Sequence, residues 1–532
     1  MTRSVGELLR RAASEHRDRV ALVVYAGDDA PDTSERAVAK RTEVTYAELD
    51  AGVLAAAGAL VEAGLPAGSR VALIAQNGHA FVEAWLGTIY AGCTVVPMPI
   101  LSATPEIAFR LADARCDVVI ADAPRREAAE RAVDRIARAI HVLDAAELGK
   151  SAVPLERPRA PANEDAMILY TSGTTGAPRG AAITHASLLA HTAALVEHAL
   201  GLGPDDRVMG VLPLTHSYGI RMVVLATLHA GASAVLVPRF DAVSTLRLLT
   251  AECVTWLPVV PTMLAALAAA RWTLGPGPNV HLAGRNSEAA RFPALRWCLS
   301  AGAPLAEDVR VRAEARLGVE VRQGYGLTEA TFCTIDAPPV PRTPGSVGRP
   351  VPGIEVRIAG ADGRDAMPGD TGEVRVRGDN VMRGYVGDDD ATQHVTRDGW
   401  LHTGDIGRLD VHGALFVVDR TKDLIIRGGN NVYPSEVEDV LARHPDVAEA
   451  AVVGRPDPYH GEEIVAVVVL REGATLDPAA LDAHAREHLS PVKVPRELAV
   501  VDALPLGPSR KVLKRELREM LAAGKLEVRR VR

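Results

Sequence analysis

"YTSGTTGAPRG", residues 170–180, packs hydroxyls, glycines and one cation into a single short stretch. Thr171, Ser172, Thr174 and Thr175 supply side-chain donors, and Arg179 supplies charge. Gly173, Gly176 and Gly180 let backbone N–H groups approach another molecule closely. Donors and a cation on pliable backbone are what holding a polyphosphate requires. No register of the stretch reads G-x-x-x-x-G-K-[ST], so the phosphates would be held by a different scheme. Alone, the same residues equally describe a surface turn.

Four further stretches follow in order: "QGYGLTEA" (323–330), "TGD" (403–405), "VDRTKDLIIRGGNNVYPSEVE" (418–438) and "LPLGPSRKVLKREL" (504–517). With the glycine-rich loop before them, they resemble the adenylate-forming superfamily of acyl- and aryl-CoA ligases, peptide-synthetase adenylation domains and luciferases. The resemblance spans nearly the whole chain. It implies that a carboxylate attacks the α-phosphate of ATP, pyrophosphate leaves, and the acyl-adenylate is passed to an acceptor. Positioning and charge neutralisation carry such a reaction.

The resemblance assigns roles residue by residue. Thr171, Ser172, Gly173, Thr174, Thr175 and Gly176 would hold the β- and γ-phosphates, with Arg179 where relatives usually have lysine. Glu329, after Thr328, would bind Mg²⁺ as an oxygen ligand for a hard cation; its ordinary alternative is an acid favoured at a helix N-terminus. Gly302, Ala303 and Pro304 in "LSAGAPL", with Gln323, Gly324, Tyr325 and Gly326, would wall the adenine slot. Asp405 would accept from the ribose hydroxyls, with Val417 and Arg420 as further nucleotide contacts. Lys511 would bridge the charge that develops during adenylation, although Arg510 stands where relatives carry glycine. Lys422 falls at the family's hinge. Gly428 and Gly429 would border a narrow tunnel for a pantetheine arm.

"LPLTHSYGI" (212–220) would line the acid pocket, with His216 against the acyl group. A histidine satisfied in the core has the same appearance in sequence. Relatives that activate amino acids place an aspartate near here, because a buried unpaired ammonium is costly. This segment has no acid, and Met222, Val223, Leu299, Ser300 and Phe332 are mainly apolar. The expected substrate is a neutral-tailed fatty or aromatic acid. For the acceptor, coenzyme A, a carrier-protein phosphopantetheine and an amine all stay open, as does an inactive nucleotide-binding module.

These residues need elements to position them. "VTYAELDAGVLAAAGALVEAGLPAGSRVALIAQNG" alternates strand, helix and strand, with Thr45 and Glu48 forming a capping box. The alternation continues to about residue 270 and implies layered α/β subdomains with largely parallel sheets. From about residue 345, glycine-rich alternating stretches read as a small β-subdomain, and the chain beyond as a small mobile α+β domain. The expected boundaries are 1–419 for the AMP-binding domain, 420–423 for the hinge and 424–532 for the C-terminal domain. "GPGPNVHLAGRNSEAARFP" (275–293) reads as a surface loop.

A chain of 532 residues exceeds what one core supports. A net charge of −8 speaks against nucleic acid as a partner. Cys93, Cys116, Cys253, Cys298 and Cys333 are scattered without metal-ligand spacing, which suits buried thiols in a reducing compartment. Neither a signal peptide nor a membrane span is legible, so the expected location is the cytoplasm. Seven lysines stand against 52 arginines, and five of the seven follow residue 420.

Overall fold

The computed structural model describes residues 4–26, 40–151, 153–161, 164–171, 178–271, 292–360, 362–420, 423–428, 430–507 and 512–531. The chain forms two compact units, Met1–Val356 with Val376–Leu401, and Arg357–Arg375 with His402–Arg532. It is a mixed α/β fold with a large N-terminal and a small C-terminal domain.

Two sheets build the first unit. Among the described residues, one runs in the order Gly384–Tyr385, Arg179–Thr184, Asp165–Thr171, Thr94–Pro97, Arg70–Ile74, Val118–Ala121, His141–Asp144. The last five are parallel. "RVALI", "TVVP" and "VVIA" are short apolar runs buried on both faces, the composition of strands covered by helices on either side. Helices Tyr46–Glu62 and His79–Tyr90 pack on each other. The first starts as the sequence predicts. Thr45 N donates to Glu48 Oε2 at 2.8 Å, and Glu48 N donates back to Thr45 Oγ1 at 3.2 Å.

The second sheet runs Arg349–Pro350, Thr331–Ile335, Val321–Leu327, Trp297–Ala301, Trp256–Val259, Arg207–Gly210, Ser233–Leu236, Val20–Ala26, Lys40–Thr45. Its six central strands are parallel, and the strands at both edges are antiparallel.

The second unit centres on the antiparallel pair Val447–Asp457 and Gly461–Leu470, with Glu497–Val500 parallel to the latter. Val452, Ile464, Leu481 and Leu498 form its core with helices Pro434–Ala442 and Pro478–His488. Strands Trp400–Leu409 and Leu415–Arg420 form an antiparallel pair in the small β-rich sheet that the glycine-rich texture predicts. The stretch 275–293 lies almost wholly outside the described residues. Four of the cysteines are buried as expected, but Cys253 is exposed, in the turn after helix Ala242–Ala251.

Candidate active site

Loops leaving the carboxyl ends of neighbouring parallel strands emerge at one edge of a sheet, where α/β folds bind ligands. Three predicted segments occupy such positions. His216 follows strand Arg207–Gly210. Gly302, Ala303 and Pro304 link strand Trp297–Ala301 to helix Glu307–Leu317. Thr328 and Glu329 form the turn between Val321–Leu327 and Thr331–Ile335. Glu329 therefore stands in a hairpin turn, and the helix N-terminus alternative falls.

Gln323, Gly324, Tyr325 and Gly326 lie on the strand entering that turn. Crowding by the returning strand explains Gly326: a Cβ there would sit 1.8 Å from the Thr331 carbonyl oxygen. Tyr325 is buried.

His216 caps the short helical turn Ser217–Gly219, its Nδ1 accepting from Tyr218 N at 3.2 Å. It is half-buried, unlike a core histidine. Beyond it, Tyr218 packs edge-on against Phe332, with ring centroids 5.1 Å apart. The Tyr218 hydroxyl donates to the Leu299 carbonyl at 2.8 Å. Met222, Val223, Leu299, Ser300 and Phe332 are all buried. Tyr218, Leu299 and Phe332, spread over more than a hundred positions of sequence, thus meet in one buried contact.

The loop after Thr171 connects two antiparallel strands, with Thr171 facing Arg179 in register. Strand Asp165–Thr171 precedes the loop, and strand Arg179–Thr184 leads from it into helix His185–Leu195, capped by Thr184. Arg179 Nε donates to Asp388 Oδ2 at 3.0 Å, and its guanidinium lies 5.7 Å from the Tyr385 ring centroid. The Tyr385 hydroxyl donates to Glu329 Oε1 at 2.8 Å. Burial, then the Glu329 carboxylate, push that hydroxyl far up, so it stays a donor. Backbone holds the same turn, with Met382 N donating to the Glu329 carbonyl at 2.6 Å. Arg179, Asp388, Tyr385 and Glu329 form one connected cluster.

Tyr385 and Asp388 were missed in the sequence. "MRGYVGDD" reads as part of the β-subdomain, yet Gly384–Tyr385 pairs with strand Arg179–Thr184 beside the loop. Asp388 also caps helix Asp389–Val395, accepting from Ala391 N at 2.9 Å. The signal available was an acid at an N-cap beside an aromatic.

The second unit holds its own predicted residues. Asp405 and Arg420 face each other across two strands and pair at 2.9 Å, with Asp405 buried. Val417 lies on the same strand as Arg420. Gly428 adopts φ +57°, a left-handed conformation that glycine accepts without strain, and its N–H donates to the His460 carbonyl at 2.8 Å. Arg427 just before it is fixed by a buried pair with Glu463 at 2.7 Å. Ser172, Gly173, Thr174, Thr175, Gly176, Lys422, Gly429 and Lys511 lie outside the described residues.

Among the described residues no cluster of three or more His, Cys, Asp or Glu could cage a metal. Mg²⁺ does not require one: it is held by one or two carboxylates together with substrate phosphates and water. Glu329, with one oxygen engaged by Tyr385 and one remaining, fits that demand.

Residues 9–386 match the family model described as AMP-binding enzyme, and residues 436–511 match the AMP-binding enzyme C-terminal domain. Among curated relatives, the sulfoacetate–CoA ligase of Cupriavidus necator is 38% identical over 485 residues, covering 88% of this chain and 90% of its own. The feruloyl-CoA synthase of an Amycolatopsis species is 39% identical over 484 residues, covering 90% and 94%. Among solved structures, ATP-bound MatB from Rhodopseudomonas palustris superposes with a TM-score of 0.85 at 30% identity, covering 97% of this chain and 99% of its own.

Proposed function

The chain belongs to the AMP-binding enzyme family and is an AMP-forming acid–CoA ligase, and from that premise we propose how its residues divide the work. A carboxylate oxygen of the acid attacks the α-phosphorus of ATP and pyrophosphate departs. The coenzyme A thiol then attacks the acyl carbonyl, losing its proton, and AMP departs. The loop Thr171–Arg179 holds the β- and γ-phosphates, with Thr174 and Thr175 as principal donors. Gly302–Pro304 and Gln323–Gly326 flank the adenine, and Asp405 with Arg420 takes the ribose. Lys511 steadies charge on the α-phosphate and carboxylate in the first half-reaction. Gly428 and Gly429 give passage to the pantetheine arm in the second. The C-terminal domain, 424–532, turns about the hinge 420–423 with Lys422 at its centre.

Magnesium bound at Glu329 would neutralise charge on the phosphates and on departing pyrophosphate. Tyr385 keeps the Glu329 carboxylate turned toward that task, and Asp388 aims Arg179. His216 meets the acid's carboxyl end. The wall of Tyr218, Met222, Leu299 and Phe332 accepts a fatty or aromatic body. Use of ATP and coenzyme A suits the cytoplasm, and no helix among the described residues is long and apolar enough to cross a membrane.

The observation that carries this assignment is the connected cluster Arg179, Asp388, Tyr385, Glu329 beside the hydroxyl-rich loop. Its test is Thr174→Ala with Thr175→Ala. ATP-dependent pyrophosphate release should fall, while thioester formation from supplied acyl-adenylate should persist. An unchanged apparent affinity for ATP would remove the loop's role.

A further inference from the structure

Arg221 is 1% exposed, on the helical segment Ile220–Leu225 that follows His216. A buried cation ordinarily has a carboxylate partner, because taking it out of water unpaired is costly. Arg221 Nη1 instead meets His191 Nδ1 at 3.0 Å. His191 Nε2 lies 2.8 Å from the Phe332 carbonyl, so it carries the proton, and Nδ1 is the lone pair that accepts. Burial, then Arg221 itself, hold His191 well below the usual histidine range, which keeps it neutral. It offsets no charge. Nε and Nη2 of Arg221 are buried and meet no hydrogen-bond partner among the described residues. Burial pushes the guanidinium down to about 9, with no carboxylate acting against it. That leaves it a cation at neutral pH.

The neighbours say where this cation lies. Tyr218, three residues earlier on the turn Ser217–Gly219 that leads into this segment, packs on Phe332, and His191 binds the Phe332 backbone. Thr331 Oγ1 stands 3.3 Å from His191 Nδ1. Arg221 thus sits behind the Tyr218–Phe332 wall that the proposed function gives to the acid.

We propose that Arg221 receives a second anionic group, a carboxylate or a sulfonate, at the far end of the acid substrate. Its two unpartnered N–H-bearing nitrogens present the planar fork that binds such groups through paired hydrogen bonds. His191 and Thr331 set the guanidinium's orientation. The substrate is then an acid with an apolar middle and two anionic ends, one adenylated and one held. This rests on the assignment of the His216–Phe332 wall to the acid.

The test compares wild-type kcat/KM for thioester formation across three matched series: diacids, ω-sulfo acids and acids ending in methyl, aliphatic and aromatic. The best dianion should exceed its methyl-ended counterpart by about a hundredfold, the scale of a desolvated charge pair. Which tip wins distinguishes carboxylate from sulfonate. Arg221→Met should erase the advantage while sparing methyl-ended acids. Its unliganded melting temperature should be unchanged or raised, because a packed apolar side chain replaces an uncompensated charge. Methyl-ended acids accepted as well as or better than every dianion by wild type would overturn the proposal and leave the acid pocket standing. Loss of all acids in Arg221→Met, with a lowered melting temperature, would make Arg221 structural and overturn it too. Thioester from no acid in any series would overturn the pocket assignment along with it.

Discussion

The Tyr385 hydroxyl donates to Glu329 Oε1 across 2.8 Å, and that bond joins the two large sheets of the first unit. Tyr385 belongs to the edge strand paired with Arg179–Thr184, and Glu329 to a hairpin turn of the other sheet. Glu329 is therefore held from the sheet that carries strand Arg179–Thr184.

Tyr385→Phe removes one hydrogen bond to a charged group, a change of about 1.5–3 kcal/mol. The apparent affinity for Mg²⁺ with ATP should fall about tenfold or more, with kcat for supplied acyl-adenylate unchanged. Titrating pyrophosphate release against Mg²⁺ reads this. An unchanged Mg²⁺ dependence would reduce Tyr385 to a packing residue.

Arg179 already has a partner in Asp388, so its charge is aimed and not loose. Arg179→Ala should raise KM for ATP about tenfold, on the scale of a charge-assisted phosphate contact, and Arg179→Lys should do so less. Asp388→Asn should follow Arg179→Ala in direction. Steady-state kinetics at varied ATP separates the three. Equal KM values in all of them would detach Arg179 from the phosphates.

Glu83 supplies a pH dependence of stability. Burial pushes its carboxyl up to about 7, against a weaker opposing effect of Lys150. It is wedged where Cβ atoms on Gly52 and Gly149 would stand 2.3 and 2.4 Å from its oxygens. Because the folded-state value lies above the unfolded one, the favourable state is the protonated one. Its contribution is complete below about 4.5 and is lost as pH rises through about 7. The loss is at most about 3 kcal/mol. Glu83→Gln should therefore melt higher than wild type at pH 8 and no higher at pH 4. Melting curves at both values check it, and an equal difference at the two would refute it.

Much of the first unit was legible because its strands are short apolar runs and its helices carry caps, as at Thr45 and Thr184. Glu329 and the Gly324–Gly326 strand were legible as a motif, although its glycines also answer to crowding by strand Thr331–Ile335. Tyr385 and Asp388 were not, because only the pairing of Gly384–Tyr385 with Arg179–Thr184, some two hundred positions away, brings them to the loop. Arg221 was hidden differently. In an arginine-rich chain a single arginine carries no signal until its burial is known.

Lys511→Ala should lose adenylation by about a hundredfold or more, as removal of one charge-stabilising group does elsewhere. Thioester formation from supplied acyl-adenylate should remain. Lys422→Pro, which fixes φ and removes an N–H at the proposed hinge, should show the reverse. Equal loss of both half-reactions in both variants, while folded, would contradict the division of roles in the C-terminal domain.

This chain couples ATP cleavage to AMP with acid–CoA thioester formation. The direct measurement mixes the enzyme with ATP, Mg²⁺, coenzyme A and an accepted acid, and quantifies nucleotide and thioester by mass spectrometry over the same time course. AMP and acyl-CoA should appear in equal amounts, and both should vanish when the acid is omitted. Production of ADP, or AMP without any thioester, would contradict it.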